Sequence, residues 1–286
     1  MSGFAKRNLK VFFKDKTAVF FSLLAVLIII GLYALFLGDV WVNSLGNLPG
    51  TRYLMDSWIV AGLLAVTSIT TTMGAFGTMV EDKVKKISKD FSASPLSRSS
   101  IVGGYTISSF IIGVIMSLVT LVLAEVYVVA FGGELLSLAS LAKVFGLILL
   151  STFTNTSIVL FITSFFNSTN AFSTASTIIG TVIGFLTGIY LPIGQLPVGV
   201  QWVIKLFPVS HAAALLRQEI TAEPMAATFA GAPESVIENF KELMGITYKF
   251  GDKVVSANFS IVILLATALV FYALSLIVIS RKKTGK

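Results

Sequence analysis

The sequence contains no cysteine, and this absence excludes three kinds of chemistry. Without thiols the chain cannot form disulfides, hold a metal through thiolate ligands or use a cysteine nucleophile. Charged residues are also scarce, at 12% of the chain, whereas 55% of the residues are hydrophobic. A water-soluble domain needs a far more polar surface. The composition therefore predicts that lipid surrounds much of the chain.

The net charge of +7 does not indicate nucleic acid as a partner. Lys and Arg residues cluster beside apolar runs and are not interleaved with exposed aromatic residues, which favours membrane topology as their role. His211 is the only histidine, and we expect it to be an ordinary interfacial residue. We predict no catalytic residue, no metal site and no cofactor site on this chain.

Six apolar stretches are long enough to cross a bilayer, because about 20 apolar helical residues span the hydrocarbon. The first is longer than the roughly 7–15 apolar residues of a signal peptide, so we expect it to be retained. Residues 1–286 are predicted to form a single all-α transmembrane domain with six spans. The stretches are Thr17–Leu37, Trp58–Val80, Ile107–Phe131, Val144–Phe166, Ala171–Leu191 and Phe259–Ser280.

Lys and Arg are concentrated on one side of these spans, as in cytoplasmic loops. The clusters precede the first span, follow the second and follow the sixth. We therefore expect both termini in the cytoplasm, and a multi-pass protein of a bacterial or archaeal cell (inner) membrane. The clustered residues are Lys6, Arg7, Lys10, Lys14, Lys16, Lys83, Lys85, Lys86, Lys89, Arg98, Arg281, Lys282, Lys283 and Lys286.

Residues 1–16 are predicted to form an amphipathic helix at the membrane interface. The pattern has two interpretations: a basic flank that only fixes topology, or a helix that a cytoplasmic partner can move. The apolar face is predicted to hold Phe4, Leu9, Val11, Phe12 and Phe13, and the basic face Lys6, Arg7, Lys10 and Lys14.

Residues 81–100 are predicted to form a cytoplasmic coupling loop. Val84, Ile87 and Phe91 recur at helical spacing in an otherwise charged segment, and the helix is expected to end before Pro95. Lysines alone are uninformative in such a loop. The apolar stripe is what indicates a short amphipathic helix parallel to the membrane.

Residues 192–258 are predicted to form re-entrant helices and an external cap. The apolar run Val198–Phe207 is too short to cross a bilayer, which is typical of re-entrant or interfacial segments. We expect one proline to end the fifth helix and another, with Ser210, to start a new helix. Two short helices in the outer leaflet would act as a gate. The prolines are Pro192, Pro197 and Pro208.

Small and polar residues within the spans predict close helix packing. Gly180, Gly184 and Gly188 form a ladder that allows a helix to approach closely, within the chain or at a subunit interface. Ser, Thr and Asn residues in the second and fourth spans are expected to form interhelical hydrogen bonds, although a polar lining is the alternative.

Glu125 is the only charged residue inside the predicted spans. A charge at that depth is unfavourable and is often functional. Protonation, or hydration at the outer mouth, is the alternative explanation. A proton-coupled secondary transporter that uses Glu125 is therefore the strongest hypothesis from another functional class.

The order of these parts resembles the membrane-spanning permease subunits of type-2 ATP-binding-cassette (ABC) exporters. The most specific matches are Glu81 followed by Ser94-Pro95-Leu96-Ser97-Arg98 and Gly103-Gly104, and the series Leu191-Pro192, Pro197 and Pro208. The chain has charged Asp82-Lys83 where the commoner form of the family has Gly and Leu. The resemblance covers nearly the whole chain.

The resemblance implies a pump of two permeases, as a homodimer or a heterodimer, and two ATPase subunits that bind ATP and Mg. The chain itself has no GxxxxGK[ST] phosphate loop. Coupling to the ATPase is then expected at Glu81, Val84, Ile87, Phe91, Pro95 and Arg98. The apolar, Ser/Thr-rich spans suit an amphipathic substrate such as a drug, a lipid-like molecule or a peptide. A non-transporting membrane scaffold or immunity protein is a further alternative.

Overall fold

The computed structural model describes residues 2–45, 48–93 and 96–281. Within these ranges, six helices are long and apolar enough to cross a membrane. Each overlaps one predicted stretch, so the all-α fold and the six spans are confirmed. Pro95 and the tail residues Lys282, Lys283 and Lys286 lie outside the described residues. The spans are Lys16–Ser44, Thr51–Val84, Ser99–Ala130, Leu138–Ser164, Thr169–Leu186 and Ala257–Arg281.

The helices are numbered here in chain order. A π-helical segment, Tyr33–Leu37, joins α2 to α3, and the three together make the first span. A small antiparallel hairpin of β1 (Lys249–Phe250) and β2 (Lys253–Val254) precedes the last helix. The helices are α1 Ser2–Lys14, α2 Lys16–Leu32, α3 Gly38–Ser44, α4 Thr51–Val84, α5 Ile87–Ala93, α6 Arg98–Ala130, α7 Leu138–Ser164, α8 Thr169–Leu186, α9 Val198–Leu206, α10 Pro208–Ile220, α11 Ala222–Thr228, α12 Glu234–Leu243 and α13 Ala257–Arg281.

Helix α4 is the centre of the bundle. Of its most apolar stretch 89% is buried within the protein, against 11% for the first span and 17% for α13. Helix α4 packs against α6, α7, α8 and α10, whereas the first span and α13 leave large apolar side chains exposed, as a surface in contact with lipid requires. A movement of α4 therefore reaches most of the other helices directly.

Polar side chains join α4 to α7 in the middle of the bundle. The Ser68 and Ser151 hydroxyl oxygens lie 2.9 Å apart, and Asn155 Nδ2 donates to Ser68 Oγ at 2.7 Å. Thr154 Oγ1 donates to the Leu264 carbonyl at 3.1 Å and so links α7 to α13. These bonds confirm the prediction that polar residues of the second and fourth spans connect helices.

The fifth span ends earlier than predicted. Helix α8 ends at Leu186, and Gly188 has a φ of +68°, in the left-handed region that favours glycine. The Ile189 amide donates to the Gly184 carbonyl at 3.0 Å, as in a Schellman cap. The prediction that Pro192 ends this helix is therefore wrong, because Gly188 turns the chain first.

The six spans alternate in direction, so α1 and the last residues of α13 lie at the same end of the bundle. We call this the α1 end. Helices α9 to α12 and the start of α4 lie at the opposite end, which we call the α10 end. Among the described spans that join the two ends, α4 and α6 are the longest, at 34 and 33 residues.

Candidate functional site

Helix α1 packs lengthwise on the start of α6 and the end of α4. Its buried residues are Phe4, Ala5, Asn8 and Phe12, which recur every three or four positions. Val11 and Phe13, which were expected on the same face, are 42% and 37% exposed. The apolar face of α1 is thus rotated from the predicted one, because protein and not only lipid covers it.

A buried carboxylate fixes α1 to the bundle. The Asp82 side chain is only 4% exposed, and Arg7 Nη2 donates to its Oδ1 at 2.9 Å while Nη1 donates to Oδ2. Tyr105, on α6, donates its hydroxyl to the same Oδ2 at 2.6 Å. The hydrogen bond to Asp82 raises the pKa of Arg7, against the effect of burial. A bidentate, charge-assisted contact of this kind joins three helices at one point.

Aromatic rings extend this contact to α5. The Phe4 ring lies edge-on to both Phe91 and Tyr105, with centroids 4.9 Å apart in each pair. The Arg7 guanidinium lies 5.2 Å from the Phe91 centroid, within cation–π distance. Phe4, Arg7, Asp82, Phe91 and Tyr105 are called the Asp82 cluster below.

The predicted coupling residues that the structure describes divide among three helices, α4, α5 and α6. The prediction of one helix between Glu81 and Pro95 is wrong. Helix α4 continues to Val84, and Lys86, with a φ of 62°, separates it from α5. The Glu81 side chain is 56% exposed, and it pairs along its own helix with Lys85 at 3.1 Å.

The other predicted residues differ in their surroundings. Val84 is 42% exposed, so it does not continue the apolar stripe. Phe91 joins the Asp82 cluster, and Ile87 is half-buried at the start of α5. Helix α6 begins at Arg98, whose side chain is outside the description.

Asp82 was missed as a site residue because the charged run around it suggests a solvated loop. One signal in the sequence could have found it. Ala61, Ser68, Ala75 and Asp82 are spaced seven residues apart, and the first three belong to the buried face of α4. A carboxylate at the next position of that face requires a cation from elsewhere in the chain.

At the α10 end, each of the three prolines starts a short helical element. Pro192 precedes a 3₁₀ turn, Ile193–Gln195, and Pro197 is the N-cap of α9. Pro208 is the first residue of α10. Proline is tolerated there because the backbone N–H that it lacks would have no partner within the helix. Helices α9 and α10 meet at 87°, a bend typical of a broken span or a re-entrant loop.

Polar contacts hold α10 in this position. Ser210 does not cap the helix as expected; its hydroxyl bonds instead to the carbonyls of Ile204 and Phe207, at the end of α9. His211 is fully buried, with Nε2 2.9 Å from the Lys205 carbonyl and Nδ1 3.0 Å from Ser260 Oγ. His211 therefore joins α9, α10 and α13, and is not an ordinary interfacial residue.

The segment after α12 covers α10 and α4. The Tyr248 hydroxyl donates to the Ser210 carbonyl at 3.0 Å, and Gln218 Nε2 donates to the Ile246 carbonyl at 2.8 Å. Trp58, on α4, donates its indole N–H to the Met244 carbonyl at 2.8 Å. The α10 end of the bundle is thus closed by contacts of α4, α10 and residues 244–248.

Comparison with protein-family models identifies the family of this chain. The family model for ABC-2 type transporters matches residues 3–220, from α1 to the last residue of α10. The chain belongs to the ABC-2 type transporter family. A search of curated protein sequences finds no match. The matched residues contain both the Asp82 cluster and the bent pair α9 and α10.

Membership of the ABC-2 family settles the general class of the chain. It is a multi-pass membrane protein and a permease component of an ABC-type transporter. Members of this family associate with an ABC ATPase subunit, so a surface for such a partner is expected on the permease.

The glycine ladder of this ABC-2 permease is not one continuous helix-packing surface. A Cβ at Gly184 would overlap the ring of Tyr190, and Gly188 ends α8. Gly180 has open space where a side chain would be. Two of the three glycines therefore serve the local turn after α8.

Glu125 has a structural partner in the permease. Its Oε2 accepts the Leu136 amide at 3.0 Å and so joins α6 to the segment before α7. It is not the only charge within the spans, because α4 starts before the predicted Trp58 and contains Arg52 and Asp56. The Asp56 carboxylate accepts bonds from Arg52 Nε at 2.9 Å and the Tyr127 hydroxyl at 2.7 Å.

The neighbouring acidic residues Asp82 and Glu81 allow a matched test of the cluster. Asp82→Ala leaves Arg7 and Tyr105 without their acceptor, and charge-assisted bonds of this kind contribute roughly 1.5–3 kcal/mol. We expect faster hydrogen–deuterium exchange of the α1 amides in the purified permease. Glu81→Ala removes an exposed pair that contributes below about 0.5 kcal/mol, so α1 should exchange as before. Equal exchange in both variants would show that Asp82 does not hold α1.

Proposed function

We propose that this permease is the transmembrane subunit of an ATP-driven exporter, and that force from a separate ATPase enters through α1 and α5. The observation that carries the proposal is the Asp82 cluster, which ties both helices to α4 and α6. Two permeases, identical or different, would assemble with two ATPases that carry ATP and Mg. The chain contributes no phosphate loop of its own.

Helix α4 provides a direct route for that force. A displacement of α1 pulls on Asp82 because the carboxylate cannot leave both donors without a large desolvation cost. Asp82 is near one end of α4, and Trp58 is near the other, where it bonds to Met244 and lies under Arg217 of α10. Tilting α4 therefore strains the contacts that close the α10 end, which we propose to be the outer gate.

The proposed orientation places the α1 end in the cytoplasm. Lys6, Lys10 and Lys14 are exposed on α1, and Lys85, Lys86 and Lys89 are exposed around α5, as the positive-inside rule requires. Helices α9 and α10 would then enter the outer leaflet of a bacterial or archaeal cell membrane. An amphipathic drug, lipid-like molecule or peptide is the proposed substrate class, because the spans are apolar with Ser and Thr between them.

The proton-coupled alternative gains no support from Glu125. Its carboxylate is bonded to the Leu136 amide near one end of α6, and family membership favours ATP as the energy source.

The absence of native cysteine makes the orientation directly testable. Lys89→Cys is exposed on α5, and Glu238→Cys is exposed on α12. A membrane-impermeant maleimide added to intact cells should label the second variant and not the first, and should label both after permeabilisation. If only Lys89→Cys is labelled in intact cells, the topology is the reverse of the proposed one.

Coupling is tested by two apolar residues of the same region. Phe91→Ala removes ring contacts with Phe4 and Arg7 that contribute roughly 0.5–1.5 kcal/mol each. In the reconstituted permease–ATPase complex, we therefore expect the permease variant no longer to change the rate of ATP hydrolysis by the ATPase. Val84→Ala, outside the cluster, should behave like the parent. The proposal fails if no ATPase co-purifies with the parent chain, or if the two variants hydrolyse ATP alike.

A further inference from the structure

The most unusual side chain of the permease is Arg217. It is fully buried on α10, and among the residues that the structure describes none accepts a hydrogen bond from its Nε, Nη1 or Nη2. A guanidinium remains charged in proteins, and its N–H groups all need acceptors. Burial of such a group without partners is strongly unfavourable. The position therefore calls for an acceptor that the described residues do not supply.

The surroundings of Arg217 are aromatic and uncharged. Its guanidinium lies 4.5 Å from the centroid of the Trp58 ring. Gly62 and Gly245 lie beside the guanidinium: a Cβ at Gly62 would be 3.4 Å from Nη2, and one at Gly245 would be 3.3 Å from Nη1. Because both residues are glycines, no side chain from these positions covers the guanidinium. Tyr248 interacts with it electrostatically, but burial raises the pKa of Tyr248 to about 12, so this phenol is neutral at physiological pH.

The carboxylate of Asp56 does not serve as the missing partner. It accepts bonds from Arg52 and from Tyr127, and Arg52 also pairs with Asp39 at 2.7 Å. These four residues form a closed set in which one cation already faces two carboxylates. Arg217 stands outside that set.

A cavity of about 560 Å³ lies between α10, α11 and α12, and its lining begins at Gln218, the residue that follows Arg217. Gln218 and Thr221 line it, one and four residues after Arg217 in the chain; Thr221 Oγ1 donates to the Arg217 carbonyl at 2.7 Å. Ile246 also lines it and directly follows Gly245, beside the guanidinium. The Gln218–Ile246 hydrogen bond of 2.8 Å joins two lining residues that are next in the chain to Arg217 and to Gly245.

The walls of the cavity are suited to an amphipathic molecule. Met225, Phe229 and Ile237 supply apolar surface, while Lys241 and the exposed Glu234 stand at its lining as one cation and one anion. These two are the charged residues of the lining and have opposite signs, whereas the Arg217 guanidinium has no acceptor among the described residues. A ligand that fills the cavity and satisfies that charge has an apolar body and an anionic end.

We propose that this cavity and Arg217 form a binding site for an amphipathic anion, with a carboxylate or phosphate as its charged end. The Gln218–Ile246 bond opens as the ligand enters, and the guanidinium then binds the anionic group through its paired N–H donors. Trp58 and the apolar walls hold the rest of the molecule. That such an anion is the exported substrate rests on the export function proposed above; the binding itself does not.

The test uses Trp58 as a reporter. The chain has three tryptophans, so Trp41→Phe with Trp202→Phe leaves Trp58 as the single emitter. This full chain is placed in phosphatidylcholine nanodiscs and titrated with dodecyl phosphate or with dodecylphosphocholine, which has the same alkyl chain but no net charge. We expect a saturable change in Trp58 emission with dodecyl phosphate and much weaker binding of dodecylphosphocholine.

Substitution of the guanidinium separates its role from that of the cavity. Arg217→Met should weaken dodecyl phosphate binding at least about tenfold, since it removes charge-assisted hydrogen bonds, and leave dodecylphosphocholine unchanged. Arg217→Lys should retain part of the affinity because it keeps the positive charge, and lose the rest because an ammonium lacks the planar pair of N–H donors of a guanidinium. Lys253→Met, which changes an exposed lysine outside the cavity lining, is the control and should stay within about twofold of the parent.

Two results would overturn the proposal: equal affinity of the parent for both amphiphiles, or unchanged dodecyl phosphate affinity in Arg217→Met. If that variant does not fold, the comparison of the two amphiphiles on the parent and on Arg217→Lys decides. No ATP or ATPase is present, so a failure here leaves the proposed coupling intact, and a failure of coupling leaves this result intact.

Discussion

The buried carboxylate of Asp82 is the contact on which the arrangement of the α1 end depends. It lies on the buried face of α4, where its side chain is only 4% exposed, and it accepts bonds from Arg7 on α1 and Tyr105 on α6. Withdrawing α1 would leave an unpaired charge inside the protein, at a cost of several kcal/mol. Helices α1, α4 and α6 therefore form one mechanical unit, and Phe91 adds α5 to it through ring contacts.

Helix α4 extends the effect of this contact through the bundle. Its middle is joined to α7 by Ser68 and Asn155, and its far end meets α10 and residues 244–248 through Trp58. Trp58, Gln218 and Tyr248 close the α10 end through neutral hydrogen bonds, which are individually weaker than the Asp82 contact. A load applied at α1 is thus expected to break contacts at the α10 end before those at Asp82.

Hydropathy predicted the six spans correctly because a bilayer imposes a length and an apolar composition that each segment satisfies by itself. Helix ends were harder to predict. Gly188 ends α8 through a local left-handed turn, and this signal was obscured by the more conspicuous Pro192. The rotation of α1 was missed because amphipathicity alone does not distinguish a lipid surface from α6.

The buried polar residues were missed for a different reason. Asp82, His211 and Arg217 occur in segments whose neighbours are charged or interrupted by proline, and such segments usually face water. Their burial depends on which distant element covers them: α1 for Asp82, α13 for His211 and residues 244–248 for Arg217. Pairings across such sequence distances are set by the tertiary fold.

A double-mutant cycle at Arg7 and Asp82 tests the central claim most directly. Permease-dependent ATP hydrolysis would be measured in the reconstituted complex for Arg7→Met, Asp82→Asn and the combined variant. If the two residues act as one unit, the combined variant loses no more activity than the worse single variant. Losses that multiply would show that Arg7 and Asp82 act independently, and would contradict the account in which their contact carries force into α4.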